Sequence, residues 1–186
     1  LIIQEFVSLP EEYSLLYYRF PGESTGAISS FCKKEFLTVR GDGIRTLDKL
    51  VKAHPRAYLQ YRKLDEQHDL DRIPAAGEEV LLVPIGNHAR GAKFLNANAE
   101  IDDRLVAVFD RLSAELDGIF VGRFDFKAES LELLKQGKNF HILEINGVAG
   151  EPAHIYDSAY PLWKAYRDLF LHWRMVFRVS QGVKRE

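Results

Sequence analysis

The chain has 186 residues, a formal net charge of −2, 46% hydrophobic residues and 28% charged residues. These values are typical of a folded globular domain and exclude a disordered chain. The charge gives no general attraction to nucleic acid, and no apolar run approaches the roughly 18 residues that a spanning helix needs. The single cysteine, Cys32, excludes an internal disulfide and favours a reducing, cytoplasmic compartment.

The first half of the chain predicts four strands, at residues 1–7, 13–21, 27–36 and 80–86. The first of these is already under way at residue 1, so we expect a fragment of a longer protein. Thr46 is a suitable N-cap for a short helix that ends before Pro55. Residues 64–79 are polar and predict a loop. The last of the four strands is predicted to lie at a sheet edge because Pro84 cannot donate to a ladder.

The second half predicts a helix, two strands and a final helix. The first helix begins at Asp102 and ends at Gly118. Residues 119–128 and 140–147 predict strands, which are separated by a short helical insert. The final helix is predicted to run for about four turns. Its apolar stripe consists of Leu162, Trp163, Tyr166, Leu169, Phe170, Trp173 and Phe177. The order of the elements predicts an α+β fold with a mainly antiparallel sheet.

The two predicted strands in the second half carry matched polar pairs. Arg123 and Asp125 lie on one face of their strand because side chains repeat every second residue, and Glu144 and Asn146 do the same on the next strand. If the strands are neighbours, these side chains converge. Two carboxylates and an amide, without His or Cys, suit Mg²⁺ together with phosphate oxygens, with Mn²⁺ as the alternative ion. Arg123 would then neutralise charge on a transferred phosphoryl group.

Each of these charges taken alone is more often a solvated surface group, but the matched spacing favours a site. No histidine pair has the spacing of helical metal ligands, and no Ser-His-Asp or Cys-His arrangement is evident. His154 would lie at the end of the site where a second substrate, the acceptor of the transferred group, binds. Arg45 is a candidate for binding a substrate carboxylate, whereas Asp42 is expected to stabilise its own Gly-Asp-Gly turn.

The Glu-x-Asn strand end, which follows a strand with a single Asp, resembles the magnesium-binding signature of the ATP-grasp superfamily. The most similar branch is that of D-alanine–D-alanine ligase and cyanophycin synthetase. Three further segments agree in the same order: QEFVSLPEEYS, VRGDGIRTLDKLV and IPAAGEEVLLVPIGNHARGA. The resemblance extends over about residues 1–157.

This resemblance implies roles for individual residues. The adenine hinge would consist of Glu5, Phe6 and Val7, and Glu12 would hold the ribose. Asn87 and Arg90 would face phosphate or substrate. The metal ligands implied are Asp125, Glu144 and Asn146, with Arg123 as the catalytic residue.

The implied activity is an ATP- and Mg²⁺-dependent ligase that joins a small carboxylate to an amine or a thiol through an acyl phosphate. The resemblance also implies an upstream subdomain with phosphate-contacting lysines, so the fragment is expected to be inactive alone. Residues 1–160 are interpreted as the C-terminal ATP-grasp subdomain. Residues 161–186, with six Lys/Arg against two Asp/Glu, are interpreted as a helix and tail that pack on the same domain.

Besides the subdomain expected upstream of residue 1, the sequence departs from the family pattern in two further ways. An insert lengthens the spacing between Asp125 and Glu144, and the usual Pro-Gly after Asn146 is replaced by GVAGEP. A non-catalytic nucleotide-binding or regulatory module and an ATP-dependent phosphotransferase are alternative functions that the sequence does not separate from ligation. The basic final helix could instead lie on a membrane surface, although packing against the sheet is favoured.

Overall fold

The computed structural model describes residues 5–116 and 118–183. Its strands are β1 (Glu11–Tyr18), β2 (Ala27–Glu35), β3 (Leu37–Arg40), β4 (Glu79–Val83), β5 (Lys93–Asn96), β6 (Val121–Ala128) and β7 (Phe140–Asn146). Its helices are α1 (Leu47–Ala53), α2 (Pro55–Tyr58), α3 (Tyr61–Asp65), α4 (Asp103–Ala114), α5 (Leu131–Lys135) and α6 (Leu162–Val183). The chain divides into two compact units, residues 1–33 with 94–186 and residues 34–93.

The first unit is built on a five-stranded sheet in the order β5-β2-β1-β6-β7, in which β6 is antiparallel to both β1 and β7. One face of this sheet is apolar because side chains alternate between faces, and most of the β1 and β6 residues on this face are hydrophobic. Helix α4 supplies Leu105 and Phe109 to the same core, which therefore lies between α4 and the sheet. The strand residues in this core are Tyr13, Leu15, Tyr17, Phe31, Phe124, Phe126 and Ala128.

The opposite face of the sheet is apolar at one end and polar further along. Leu16 and Val121 form a smaller core with Met175 and Val179 of α6, so the helix packs on this end of the face. The next residues on the same face of β1 and β6 are polar. The fold therefore leaves a row of polar side chains on a rigid sheet beside α6.

A β-bulge in β7 keeps its polar and apolar residues on separate faces. Asp125 lies opposite Glu144, but the next residue of β6 lies opposite Ile142, so Leu143 is the additional residue. Strict alternation would place Ile142 and Ile145 on different faces. With the bulge both isoleucines pack against the main core, and Glu144 is on the face opposite to it.

The second unit contains a two-stranded sheet of β3 and β4, helices α1 to α3, and its own core. The predicted N-cap is confirmed, since the Thr46 hydroxyl accepts a hydrogen bond from the Lys49 amide, at 3.5 Å, and α1 ends before Pro55. Strand β4 ends at Val83, before Pro84, and pairs with β3 at the edge of this small sheet.

Three predicted elements are wrong in extent, and two observed strands were not predicted. Residues 5–7 do not form a strand, and the Val7 carbonyl accepts a hydrogen bond from the Lys127 ammonium group. Residues 1–4 lie outside the described residues. Helix α4 ends at Ala114 rather than at Gly118, whereas α6 has 22 residues and exceeds four turns. The four-residue strands β3 and β5 were not predicted.

The orientation of α6 corrects the predicted packing of its aromatic stripe. Most of that stripe is exposed, including Trp163, Phe170 and Phe177, which are 64%, 76% and 63% exposed. The buried residues of the helix form a second stripe, which consists of Ala165, His172, Met175 and Val179. Met175 and Val179 pack against Leu16 and Val121 of the sheet. None of the helices within the described ranges is long and apolar enough to cross a membrane.

Candidate active site

The antiparallel pairing of β6 and β7 brings the four predicted site residues together. Asp125 lies directly opposite Glu144, and Arg123 lies directly opposite Asn146. Residues paired across two strands have Cβ atoms about 4.5–5.5 Å apart. Two carboxylates, an amide and a guanidinium therefore share one patch on the polar face of the sheet.

Asp125 is held in place by partners from both sides. Its side chain is largely buried, with the residue 9% exposed. The Ser14 hydroxyl on β1 donates a 2.6 Å hydrogen bond to its Oδ1, and Arg123 forms an ion pair with it at 3.4 Å. Sequence reasoning missed Ser14, whose only signal was its position on the polar face of a neighbouring strand. The carboxylate is thus oriented in advance of any ligand.

Asn146 connects the other two polar groups. The hydrogen-bond network assigns its amide orientation: Nδ2 donates to Glu144 Oε1 at 3.1 Å, and Oδ1 accepts from Arg123 Nη2 at 3.2 Å. Arg123 also donates to the Glu151 carbonyl at 3.5 Å. The guanidinium therefore lies among the oxygen atoms of the patch and links the sheet to the loop after β7.

The donor set of the patch fits Mg²⁺ in part. Carboxylate and amide oxygens are the ligands that Mg²⁺ takes from proteins, and it completes its octahedron with waters and phosphate oxygens. Within residues 5–116 and 118–183 there is no group of three His, Cys, Asp or Glu side chains that could hold a metal. A metal bound by Asp125, Glu144 and Asn146 would need further ligands from nucleotide and water.

The residues predicted to contact adenosine cluster around one lysine further along the same face. Lys127 lies opposite Glu12, which is 4% exposed and two residues from Ser14 on β1. The Lys127 ammonium group donates to the Val7 carbonyl at 3.0 Å and lies 4.9 Å from the centre of the Phe6 ring. Phe6 and Glu5 are exposed. Three of the four predicted hinge and ribose residues therefore adjoin Lys127. Lys127 lies two residues along β6 from Asp125, on the same face of the sheet.

The second unit contains the remaining predicted residues. Asn87 caps a short 3-10 turn at His88–Arg90, where its Oδ1 accepts from the Ala89 amide at 2.9 Å, and Arg90 is exposed. Their part in phosphate or substrate binding stays a prediction. Asp42 accepts hydrogen bonds from the Ile44 and Arg45 amides and from the Arg45 guanidinium, which lower the pKa of Asp42. This confirms its interpretation as a turn-stabilising residue.

His154 belongs to a buried network rather than to an exposed surface. Its Nδ1 is 2.8 Å from the Ser30 hydroxyl, and its Nε2 is 3.1 Å from Asp168, which also accepts from the Tyr160 hydroxyl at 2.6 Å. Burial lowers the pKa of His154. Burial alone would raise the pKa of Asp168, but hydrogen bonds from Tyr160, His154 and Arg167 outweigh it and lower that pKa.

No family model matches the sequence, and no curated protein matches it either. Among solved structures, the chain is similar to a bifunctional glutathione synthetase from Pasteurella multocida, with a TM-score of 0.51 and 16% sequence identity. The match covers 87% of this chain and 24% of the synthetase chain, so this chain spans about a quarter of that enzyme. The likeness shows the fold, which is α+β with an ATP-grasp-like, mainly antiparallel sheet.

Proposed function

We propose that the protein is an ATP- and Mg²⁺-dependent ligase that joins a carboxylate to an amine or a thiol through an acyl phosphate. In this proposal the chain is the C-terminal part of the ATP-binding domain, in the branch of D-alanine–D-alanine ligase and cyanophycin synthetase, and acts in the cytoplasm. The carrying observation is the cross-strand pairing of Asp125 with Glu144 beside Arg123 and Asn146, on the polar face of an ATP-grasp-like sheet.

The row of polar side chains on β1 and β6 gives the nucleotide an orientation. Phe6 and Val7 would contact adenine at the Lys127 end, and buried Glu12 would accept hydrogen bonds from the ribose hydroxyls. The phosphates would then extend along the face towards Asp125. Mg²⁺ bound by the carboxylates and Asn146 would screen the phosphate charge when present.

Arg123 is the residue placed to stabilise the reacting groups. In the first step a carboxylate oxygen of the substrate attacks the γ-phosphorus, the bond to the β–γ bridging oxygen breaks, and ADP leaves. In the second step the amine attacks the acyl carbon, loses a proton and displaces phosphate. The guanidinium would neutralise negative charge in both steps, because its contacts with Asp125 and Asn146 hold it at the patch before the substrates bind.

The similarity to a glutathione synthetase favours ligation over the alternative functions. The test is nucleotide turnover by the full-length protein on a panel of acids and amines. We expect ADP and inorganic phosphate to be released in equal amounts only when an acid and an amine are both present. Release of ADP without phosphate, with phosphate transferred to a hydroxyl, would identify a phosphotransferase. Nucleotide binding without turnover across the panel would identify a non-catalytic module.

A further inference from the structure

A cavity of about 450 Å³ in the first unit shares none of its lining residues with the Asp125–Glu144 patch. Its walls come from α6, from the ends of β1 and β2, and from the segment around His154. This volume lies within the range of small-molecule sites, which are concave and mostly apolar with a few polar groups. The lining residues used below are Tyr18, Phe20, Asp168, His172, Arg174 and Arg178.

His172 is a buried polar group that the protein leaves unsatisfied. The residue is 3% exposed, and neither of its ring nitrogens has a hydrogen-bond partner among the described residues. A buried imidazole without a partner is destabilising, and such groups in folded proteins are rare. The cavity that His172 lines is the space from which a ligand could supply the missing partner.

The charges around the cavity favour an anion. Arg174 and Arg178 line it, and neither guanidinium forms an ion pair within the described part of the chain. Asp168 is the acidic residue of the lining, but its oxygens already accept hydrogen bonds from His154, Tyr160 and Arg167. The lining therefore offers the unsatisfied imidazole of His172 and two cationic side chains, and the Tyr18 and Ser29 hydroxyls beside them are also able to donate to an anion.

The remaining wall is aromatic and apolar. The rings of Tyr18 and Phe20 are in edge contact, with centroids 5.5 Å apart, and the Arg178 guanidinium lies 4.5 Å from the centre of the Phe20 ring. Leu171 and Met175 of α6 complete this side. A ligand that fills the cavity therefore needs an apolar body as well as an anionic group, which excludes a hydrated metal ion or bare phosphate as the best fit.

We propose that this cavity binds a small organic carboxylate. Its carboxylate group would accept hydrogen bonds from His172 and from the Arg174 and Arg178 guanidinium groups, and its apolar part would lie against Tyr18 and Phe20. Charge-assisted hydrogen bonds to guanidinium groups are the strong ones in such sites. The proposal is independent of the ATP-dependent reaction, because no residue of the Asp125–Glu144 patch lines the cavity.

Calorimetric titration of the full-length protein without nucleotide tests the proposal with three probes. Phenylacetate carries both an anionic group and an apolar body, phenylacetamide is its neutral analogue, and inorganic phosphate lacks the apolar body. We expect phenylacetate to bind at least about tenfold more tightly than either of the others, which corresponds to about 1.4 kcal/mol. Equal binding of phenylacetate and phenylacetamide, or tighter binding of phosphate, would overturn the proposal.

Two variants and a control locate the binding. His172→Phe keeps an aromatic ring beside Trp173, whose ring centroid is 5.4 Å away, and removes the unsatisfied nitrogens, so we expect it to fold. It should weaken phenylacetate binding about tenfold, as should Arg178→Gln. Lys164→Gln, on the same helix but outside the cavity lining, should leave binding unchanged. Unchanged binding by His172→Phe, or an equal loss in Lys164→Gln, would contradict a site in this cavity.

Discussion

The Ser14 hydroxyl on β1 donates a 2.6 Å hydrogen bond to Asp125 on β6, and both residues are almost fully buried. The two residues are 111 positions apart in the chain, and they meet because β1 and β6 are neighbours in the sheet. This bond fixes the carboxylate that we propose as a metal ligand. Its removal should affect both the stability of the fold and the geometry of the site.

Ser14→Ala should lower the free energy of unfolding by about 1–3 kcal/mol, because hydrogen bonds to charged groups contribute this much and Asp125 would lose a buried donor. Urea unfolding measures the difference. Ser29→Ala is the matched control, since the Ser29 hydroxyl has only a 3.5 Å contact with the Leu16 carbonyl, and it should cost no more than about 0.5 kcal/mol. Equal effects of the two substitutions would contradict the role of Ser14.

Gly150→Ala should impair turnover more than folding. A Cβ at this position would be 2.9 Å from Arg123 Cβ, so the loop after β7 would have to move away from the guanidinium. We expect kcat/KM of the full-length protein to fall about tenfold, or about 1.4 kcal/mol in transition-state stabilisation. Gly147→Ala has nothing within 4 Å of its new Cβ and serves as the control. Similar kinetics for the two variants would argue against a role for this contact.

The packing of α6 predicts that substitutions on its buried side destabilise the fold and that substitutions on its exposed side do not. Met175→Ala should lower the free energy of unfolding by about 2–5 kcal/mol, because the side chain is buried against Leu16 and Val121. Phe177→Gln should change it by no more than about 0.5 kcal/mol, because that ring is 63% exposed. A larger loss for Phe177→Gln in chemical denaturation would mean that the aromatic stripe is packed.

Acidification should destabilise the fold through His154. Its pKa is lowered in the folded state by burial, so the unfolded chain binds the proton more readily as the pH falls. The stabilising contribution is therefore present above the ordinary pKa of 6.5 and is lost as the pH falls below it. The pKa of Asp168 is also lowered in the folded state, so Asp168 likewise stabilises the fold at higher pH. Its contribution is lost only as the pH falls below the ordinary value of 3.8.

The measurement is the slope of unfolding free energy against pH between about 7 and 5, the window set by an ordinary histidine pKa of about 6.5. His154→Gln should flatten this slope, whatever its effect on stability at neutral pH. His172, whose pKa is also lowered by burial, contributes in the same direction, so some slope should remain. Identical slopes for the wild type and His154→Gln would contradict the assignment of this proton to His154.

The polar patch could be predicted from sequence because alternation along a strand is dictated by backbone geometry. Arg123 and Asp125 had to share a face, and so did Glu144 and Asn146. Ser14 could not be predicted, since the neighbour of β6 depends on a sheet order that links distant segments. The bulge at Leu143 likewise follows from fitting the apolar residues of β7 to a core that the sequence does not specify locally.

Helix α6 was predicted from the sequence, but the face that it buries was not. Its length and amphipathic character follow from the spacing of apolar residues, but the helix carries two apolar stripes. The wider aromatic one was expected to be buried, and the structure buries the other, whose Met175 and Val179 pack against Leu16 and Val121 of the sheet. The shape complementarity between the helix and the sheet decides which stripe packs, and the hydropathy of the sequence alone does not predict this choice.

The pairing of Asp125 with Glu144 as a metal–nucleotide site is tested most directly by Mn²⁺ binding to the full-length protein in the presence of ATP, followed by electron paramagnetic resonance. We expect Glu144→Gln to weaken nucleotide-dependent Mn²⁺ binding at least about tenfold, because one anionic ligand is lost while the side-chain size is kept. Glu115→Gln, the same charge change at an exposed position after α4, should bind as the wild type does. Unchanged Mn²⁺ affinity in Glu144→Gln would contradict the proposed site.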